Sequence, residues 1–251
     1  MWRNRGLRAL AALILTLWAL PAIAVDCRDE RWNGLGFSIC EVDTTTEDLR
    51  LFLTDPGGAA YGSFDAVNAR LGAQAEQLVF AMNAGMYHED RSPVGHYREN
   101  GEDLRGIIAS AGPGNFGMLP NGVFCIGADR AWVIETTEYE TRDPTDCRDA
   151  TQSGPMLVID GELHPRFLPD STSRYIRNGV GVNADGTRAW FVMSRLPVTF
   201  HEFGSLFRDH LETPQALYFD GNISRLYAPQ LDRNDLGFRM GPIVGVVAPV
   251  D

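Results

Sequence analysis

Short apolar runs that stop at polar, glycine-bearing stretches recur along this chain, and they restrict its fold more than any other feature. Leu78 to Met82 halts at Asn83-Ala84-Gly85, Met156 to Ile159 at Asp160-Gly161, and Ala216 to Phe219 at Asp220-Gly221-Asn222. Gly179 to Asn183 and Ala189 to Ser194 flank Ala184-Asp185-Gly186-Thr187 in the same manner, and Gly122 to Ile126 and Arg130 to Ile134 flank Gly127-Ala128-Asp129. Runs this short, rich in β-branched and aromatic residues and bounded by turn residues, are strands, and two of them so close in sequence pair as a hairpin. Asp48 to Thr54, ending at Asp55-Pro56-Gly57-Gly58, is read the same way.

Helical periodicity is confined to a few places. Phe64, Val67 and Leu71 recur at helical spacing within Ser63 to Leu71. A second helix starts at Thr199-Phe200-His201-Glu202, which has capping-box form, presents Phe200, Phe203, Leu206, Phe207 and Leu211, and ends before Pro214. No Gly-x-Gly-x-x-Gly or Walker sequence supports nucleotide binding. The expected fold is α+β, with mixed, largely antiparallel sheets and a few packed helices in a single domain.

The first 24 residues read as a secretory leader. Arg3, Arg5 and Arg8 form a basic start, Ala9 to Leu20 an apolar stretch short for a membrane span, and Ala22-Ile23-Ala24 a small-residue cleavage signal. Cleavage after Ala24 leaves a domain over residues 25–251, in the periplasm or outside the cell, with no stable membrane insertion; an uncleaved anchor is the alternative. Four cysteines, Cys27, Cys40, Cys125 and Cys147, then favour two disulfides over a metal site, because no zinc-type spacing is present. Three pairings are possible. Proximity in sequence suggests Cys27 with Cys40 and Cys125 with Cys147, but spacing alone does not decide.

Removing the leader's three arginines leaves 19 basic residues against 33 acidic, a net charge of about −14, which argues against nucleic acid and anionic membrane as partners. All 22 basic residues are arginine. Any anion must therefore be held by guanidinium or backbone N–H groups. No metal or cofactor is expected.

Each polar stop alone reads as a turn, but their recurrence suggests a cleft built from strand ends, with glycines admitting a ligand and amides reading hydroxyl groups. Asn83-Ala84-Gly85-Met86-Tyr87, Pro93-Val94-Gly95, Glu99-Asn100-Gly101, Gln152-Ser153-Gly154-Pro155, Arg177-Asn178-Gly179 and Tyr218-Phe219-Asp220-Gly221 occur in that order. The series resembles the phosphodiester glycosidase family, and within it the exported bacterial branch. One position departs: where family members of the uncovering type have Asp-Gly-Gly-Gly-Ser, this chain has Asp220-Gly221-Asn222-Ile223-Ser224, so Asn222 and Ile223 add bulk.

The resemblance implies a carbohydrate or phosphosugar substrate and hydrolysis of a sugar 1-phosphodiester or a related envelope glycan linkage. Asp220 would face the sugar, attacking the anomeric carbon or activating water, and Arg177 would grip the phosphate. Asn83, Gly85, His96, Gln152, Ser153, Gly154, Asn178, Gly221, Asn222 and Ser224 would line the substrate site. The competing assignments are an Asx turn at Asp220 closing on Asn222, a structural ion pair for Arg177, and backbone satisfaction for each amide. A non-catalytic carbohydrate-binding module and a cell-envelope scaffold remain as other functions. A serine hydrolase is disfavoured, since Ser153 stands in Gln-Ser-Gly-Pro rather than a Gly-x-Ser-x-Gly elbow.

Overall fold

The computed structural model describes residues 25–220 and 223–250. The leader, Gly221 and Asn222 therefore lie outside the described residues. Three antiparallel sheets make up the domain. The first has seven strands in the spatial order Asp26–Trp32, Leu35–Asp43, Arg188–Ser194, Asn178–Val182, Gln215–Tyr218, Met156–Ile159 and Glu162–Leu163. The second runs Arg233–Asn234, Leu226–Ala228, Glu76–Asn83, Ile243–Pro249 and Asp48–Phe52. The third runs Glu102–Arg105, Tyr97–Glu99, Asp149–Ser153, Gly122–Ile126 and Ala131–Glu135. Every pairing among the described strands is antiparallel, so the α+β expectation is borne out at its antiparallel limit.

The sheets converge on an aromatic centre. Phe80 of the second sheet lies 5.0 Å from Phe191 of the first, centroid to centroid. Phe124 of the third sheet meets Phe191 edge-on at 5.6 Å and Phe219 at 6.0 Å. Edge-to-face geometry sets the electropositive ring edge against a neighbour's π face, a favourable quadrupolar contact. Four aromatic residues from three sheets thus close one core.

Alternation along the strands explains why both faces of the first sheet are covered. Ala189, Phe191 and Met193 turn into this centre, while Trp190 and Val192 turn to the other face. There they meet Phe203, Leu206 and Phe207 of the helix that begins at Phe200. Thr199 caps it as expected, its Oγ1 accepting from Glu202 N at 3.1 Å while Glu202 Oε2 accepts from Thr199 N at 2.9 Å. After Ser205 the turns widen, with Leu211 N donating to Leu206 O at 3.0 Å. Gly181 makes this packing possible: a Cβ there would stand 2.6 Å from Phe207 Cδ1. The helix Phe64–Gly72 covers the second sheet through Phe64, Val67 and Leu71, capped by Ser63.

Both sequence-neighbour disulfides form. Cys27 and Cys40 face each other across the Asp26–Trp32 and Leu35–Asp43 pair, and Cys125 is bonded to Cys147. No described helix is long and apolar enough to cross a membrane.

Candidate active site

Asn83 ends its strand in the second sheet and Asn178 begins its strand in the first, so the two amides meet where the sheets meet. Asn178 Nδ2 donates to Asn83 Oδ1 at 2.8 Å and to Asn83 O at 3.1 Å. Asn178 Oδ1 accepts from Asp220 N at 3.0 Å, and Asn83 Oδ1 accepts from Arg225 N at 2.9 Å. One buried pair of amides therefore holds both ends of the loop that follows the Gln215–Tyr218 strand. Ser153 Oγ donates to Phe219 O at 2.7 Å, and Ser224 Oγ lies 3.1 Å from Asp220 O and 3.3 Å from Ile176 O. Asp220 is seated by Asn178 of the first sheet and, through Phe219, by Ser153 of the third, with Asn83 of the second sheet behind Asn178.

Asp220 lines a cleft of about 470 Å³ with Met86, Val94, Asn115, Phe116, Ser173, Tyr175 and Tyr218. The mixture of apolar walls with a few polar groups suits a small organic ligand. Burial, reinforced by the Asp220 charge, pushes Tyr87 up to about 12, and burial drives Tyr218 higher still. Both phenols hold their protons at neutral pH and are hydrogen-bond donors there.

Arg177 lies behind this wall, with 1% of its surface exposed. Its Nε donates to Val198 O at 2.9 Å and its Nη2 to Ser173 O at 3.2 Å. Its guanidinium carbon stands 3.5 Å from the Phe200 ring centroid, 5.5 Å from that of Tyr218 and 5.6 Å from that of Tyr175. No described carboxylate forms an ion pair with it. Arg177 is thus near Asp220 through Tyr218, but beneath the cleft wall rather than on it.

The remaining residues singled out in the sequence divide between this centre and its supports. Gln152 is fully engaged: its Oε1 accepts from His96 N and Ile108 N, and its Nε2 donates to Ile108 O and Thr136 Oγ1. Gly85 lets the segment after Asn83 press on the third sheet, since a Cβ would stand 2.4 Å from Thr151 Oγ1 and 2.7 Å from Gln152 O. Gly154 packs against Asn121 beside the same strand. His96 lies elsewhere, with Nδ1 2.8 Å from Arg105 O and Nε2 3.0 Å from Tyr139 Oη, in a separate cavity of about 370 Å³ that also includes Arg98 and Asp103. No group of three His, Cys, Asp or Glu side chains among the described residues is placed to hold a metal ion.

Sequence reasoning assigned no role to Tyr87, Tyr218, Tyr175 or Arg225. Tyr87 and Tyr218 stand inside two of the quoted motifs and Arg225 directly follows Ser224, so position in those motifs was the available signal.

Three antiparallel sheets that gather motif-bearing strand ends around an acid and a cleft define a class, and comparison with known proteins supplies it. The profile of the phosphodiester glycosidase family matches residues 76–239, and the chain belongs to that family. It is 35% identical over 215 residues to the uncharacterised protein YigE of Escherichia coli (strain K12), a match covering 86% of this chain and 83% of that one. Its fold is similar to the catalytic domain of zebrafish N-acetylglucosamine-1-phosphodiester alpha-N-acetylglucosaminidase, auto-inhibited by its pro-peptide. There the TM-score is 0.61 at 12% identity, over 88% of this chain and 81% of the other. A putative exported protein of Burkholderia pseudomallei shares the fold at a TM-score of 0.55 and 13% identity, over 84% and 74% of the two chains.

Proposed function

We propose that this protein is an exported hydrolase that cleaves the glycosidic bond of a sugar 1-phosphodiester, in an envelope or lipid-linked glycan. One observation carries the reading: Asp220, in a family of phosphodiester glycosidases, lines a cleft large enough for a sugar and is positioned by side chains from separate sheets. The leader-like residues 1–24 and the two disulfides support export.

A phosphate monoester departs as a stable anion, so the reaction needs little help from a strong general acid. It needs negative charge beside the oxocarbenium-like sugar and positive charge or donors beside the departing phosphate. Asp220 supplies the first, either by attack at the anomeric carbon or by activating water. Tyr218 supplies a protonated donor in the cleft wall. Arg177 holds Tyr218 and the Ser173–Tyr175 rim from behind, and its positive charge favours an anionic ligand on the other side.

Turnover of a panel of sugar 1-phosphodiesters and plain aryl glycosides by the mature protein tests the proposal. Release of sugar from the phosphodiesters, lost in Asp220→Asn, is the expected result. Binding of the panel without cleavage of any member would favour a carbohydrate-binding module instead.

A further inference from the structure

Acidic residues outnumber basic ones 33 to 22, so carboxylates are plentiful, and exposed or half-buried arginines such as Arg50, Arg148, Arg174 and Arg233 each pair with at least one. Among the described residues only two arginines are buried, Arg177 and Arg225, and neither forms an ion pair. Arg177 donates through Nε and Nη2 to two carbonyl oxygens and lies on an aromatic face, with Nη1 buried and without a partner. Arg225 has still fewer contacts. It is 6% exposed, and although its backbone N–H donates to Asn83, its guanidinium makes no hydrogen bond to any described residue. Asp235, whose charge acts on it, is already gripped by Arg233 at 2.7 and 3.1 Å.

A largely buried cation without an ion pair is costly, because it gives up part of its hydration for little in return. Two more unsatisfied donors share the neighbourhood. Asn83 Nδ2 is buried without a hydrogen-bond partner, on the same amide whose oxygen accepts from Arg225 N. The Tyr87 hydroxyl is also buried; the Gly241 backbone N–H approaches it, and its own O–H donates to no described residue. It lies within electrostatic range of both Arg225 and Asp220, and its ring packs against Gly241, where a Cβ would stand 2.4 Å from Tyr87 Cγ. Gly237 gives Arg225 similar room, since a Cβ there would stand 2.7 Å from Nη2. The three donors come from two chain segments, Asn83 to Tyr87 and the one that holds Arg225, and are linked to Asp220 through the Asn83–Asn178 pair.

We propose that Asn83 Nδ2, Tyr87 Oη and the Arg225 guanidinium form an oxyanion-binding site that receives the phosphate of the substrate, with Arg225 as its cation. Arg177 then acts as a positioning residue for Tyr218. This inference rests on the hydrolase reading for the identity of the substrate, but the anion site can be tested without turnover. A phosphate oxygen offers each of these donors a charged acceptor, and a guanidinium matches two such oxygens at once.

Titration calorimetry with inorganic phosphate on the mature protein provides the test, alongside turnover of the phosphodiester panel by the same preparation. The unsubstituted protein is expected to bind phosphate, and Arg225→Met to bind it about tenfold or more weakly, the loss associated with one charge-assisted hydrogen bond. Tyr87→Phe removes one donor while keeping the ring, and is expected to weaken binding by a smaller factor; it serves if Arg225→Met does not fold. Asp220→Asn is expected to bind phosphate at least as well as the unsubstituted chain, because it loses a nearby negative charge. No phosphate binding, or equal binding by Arg225→Met and Tyr87→Phe, overturns the anion site even where the panel is hydrolysed. Phosphate binding that depends on Arg225, with no member of the panel cleaved, sustains the site and rejects the hydrolase reading.

Discussion

Asp220 and Arg177 lie on either side of Tyr218, yet their substitution should have opposite signatures. The Asp220 carboxylate lines the cleft, and the loop it opens is held through its backbone N–H and carbonyl. Asp220→Asn keeps those backbone bonds and is expected to abolish turnover with the melting temperature within a few degrees; activity near the unsubstituted level would remove the residue from the mechanism. Arg177→Ala withdraws a guanidinium packed 3.5 Å from the Phe200 centroid and removes its hydrogen bonds to the carbonyls of Ser173 and Val198, the latter keeping only Tyr175 N. A buried cation–π contact and two hydrogen bonds together should cost about 2–4 kcal/mol. Chemical denaturation would show this as a lowered midpoint, and a midpoint unchanged from the unsubstituted protein would contradict it.

Where strands end, side chains tie elements together rather than facing solvent. Asn178→Ala removes the bridge from the first sheet to Asn83 and leaves Asp220 N–H without its acceptor. Its expected cost is about 2–4 kcal/mol, with turnover falling together with stability, unlike Asp220→Asn. In the third sheet the Tyr97–Glu99 strand carries a different kind of strain. Burial, with the Asp149 charge adding to it, pushes Glu99 up to about 7 from 4.5, even though Tyr97 Oη donates to it at 2.7 Å. The unfolded chain gives up this proton at lower pH than the folded one, so stability falls as pH rises from about 4.5 through 7. Glu99→Gln should relieve a burden of about 1–2 kcal/mol at pH 8 and change little at pH 4. Equal melting shifts at both pH values would exclude this origin.

Over the whole molecule, two disulfides close loops between residues separated by 13 and 22 positions, one inside the first sheet and one beside the third. Each is expected to contribute about 3 kcal/mol by restricting the unfolded chain. Reductant should therefore lower the melting temperature and release four thiols; thiols already free before reduction would refute the pairing. Many strand positions, the Thr199 cap and the largely antiparallel character were readable in the residues, because each depends on neighbours a few positions away; the Asp26–Trp32 and Leu35–Asp43 strands and the Ser63 cap were not assigned. Thr199 with Glu202 and the apolar run before Asp220 are of that kind. The destinations of the long-range polar groups were not readable. Gln152, Asn178 and Ser153 look alike in sequence whether they meet a sugar or a carbonyl, and here their partners lie 16 to 95 residues away. Likewise nothing in composition separates Arg177, bonded to two carbonyls beneath an aromatic wall, from Arg225, whose guanidinium bonds to no described residue. Local chemistry determined many strands, caps and turns; packing of three sheets decided which polar atoms satisfy one another and which are left without a partner, because burial and hydrogen-bond pairing exist only once distant segments are brought together.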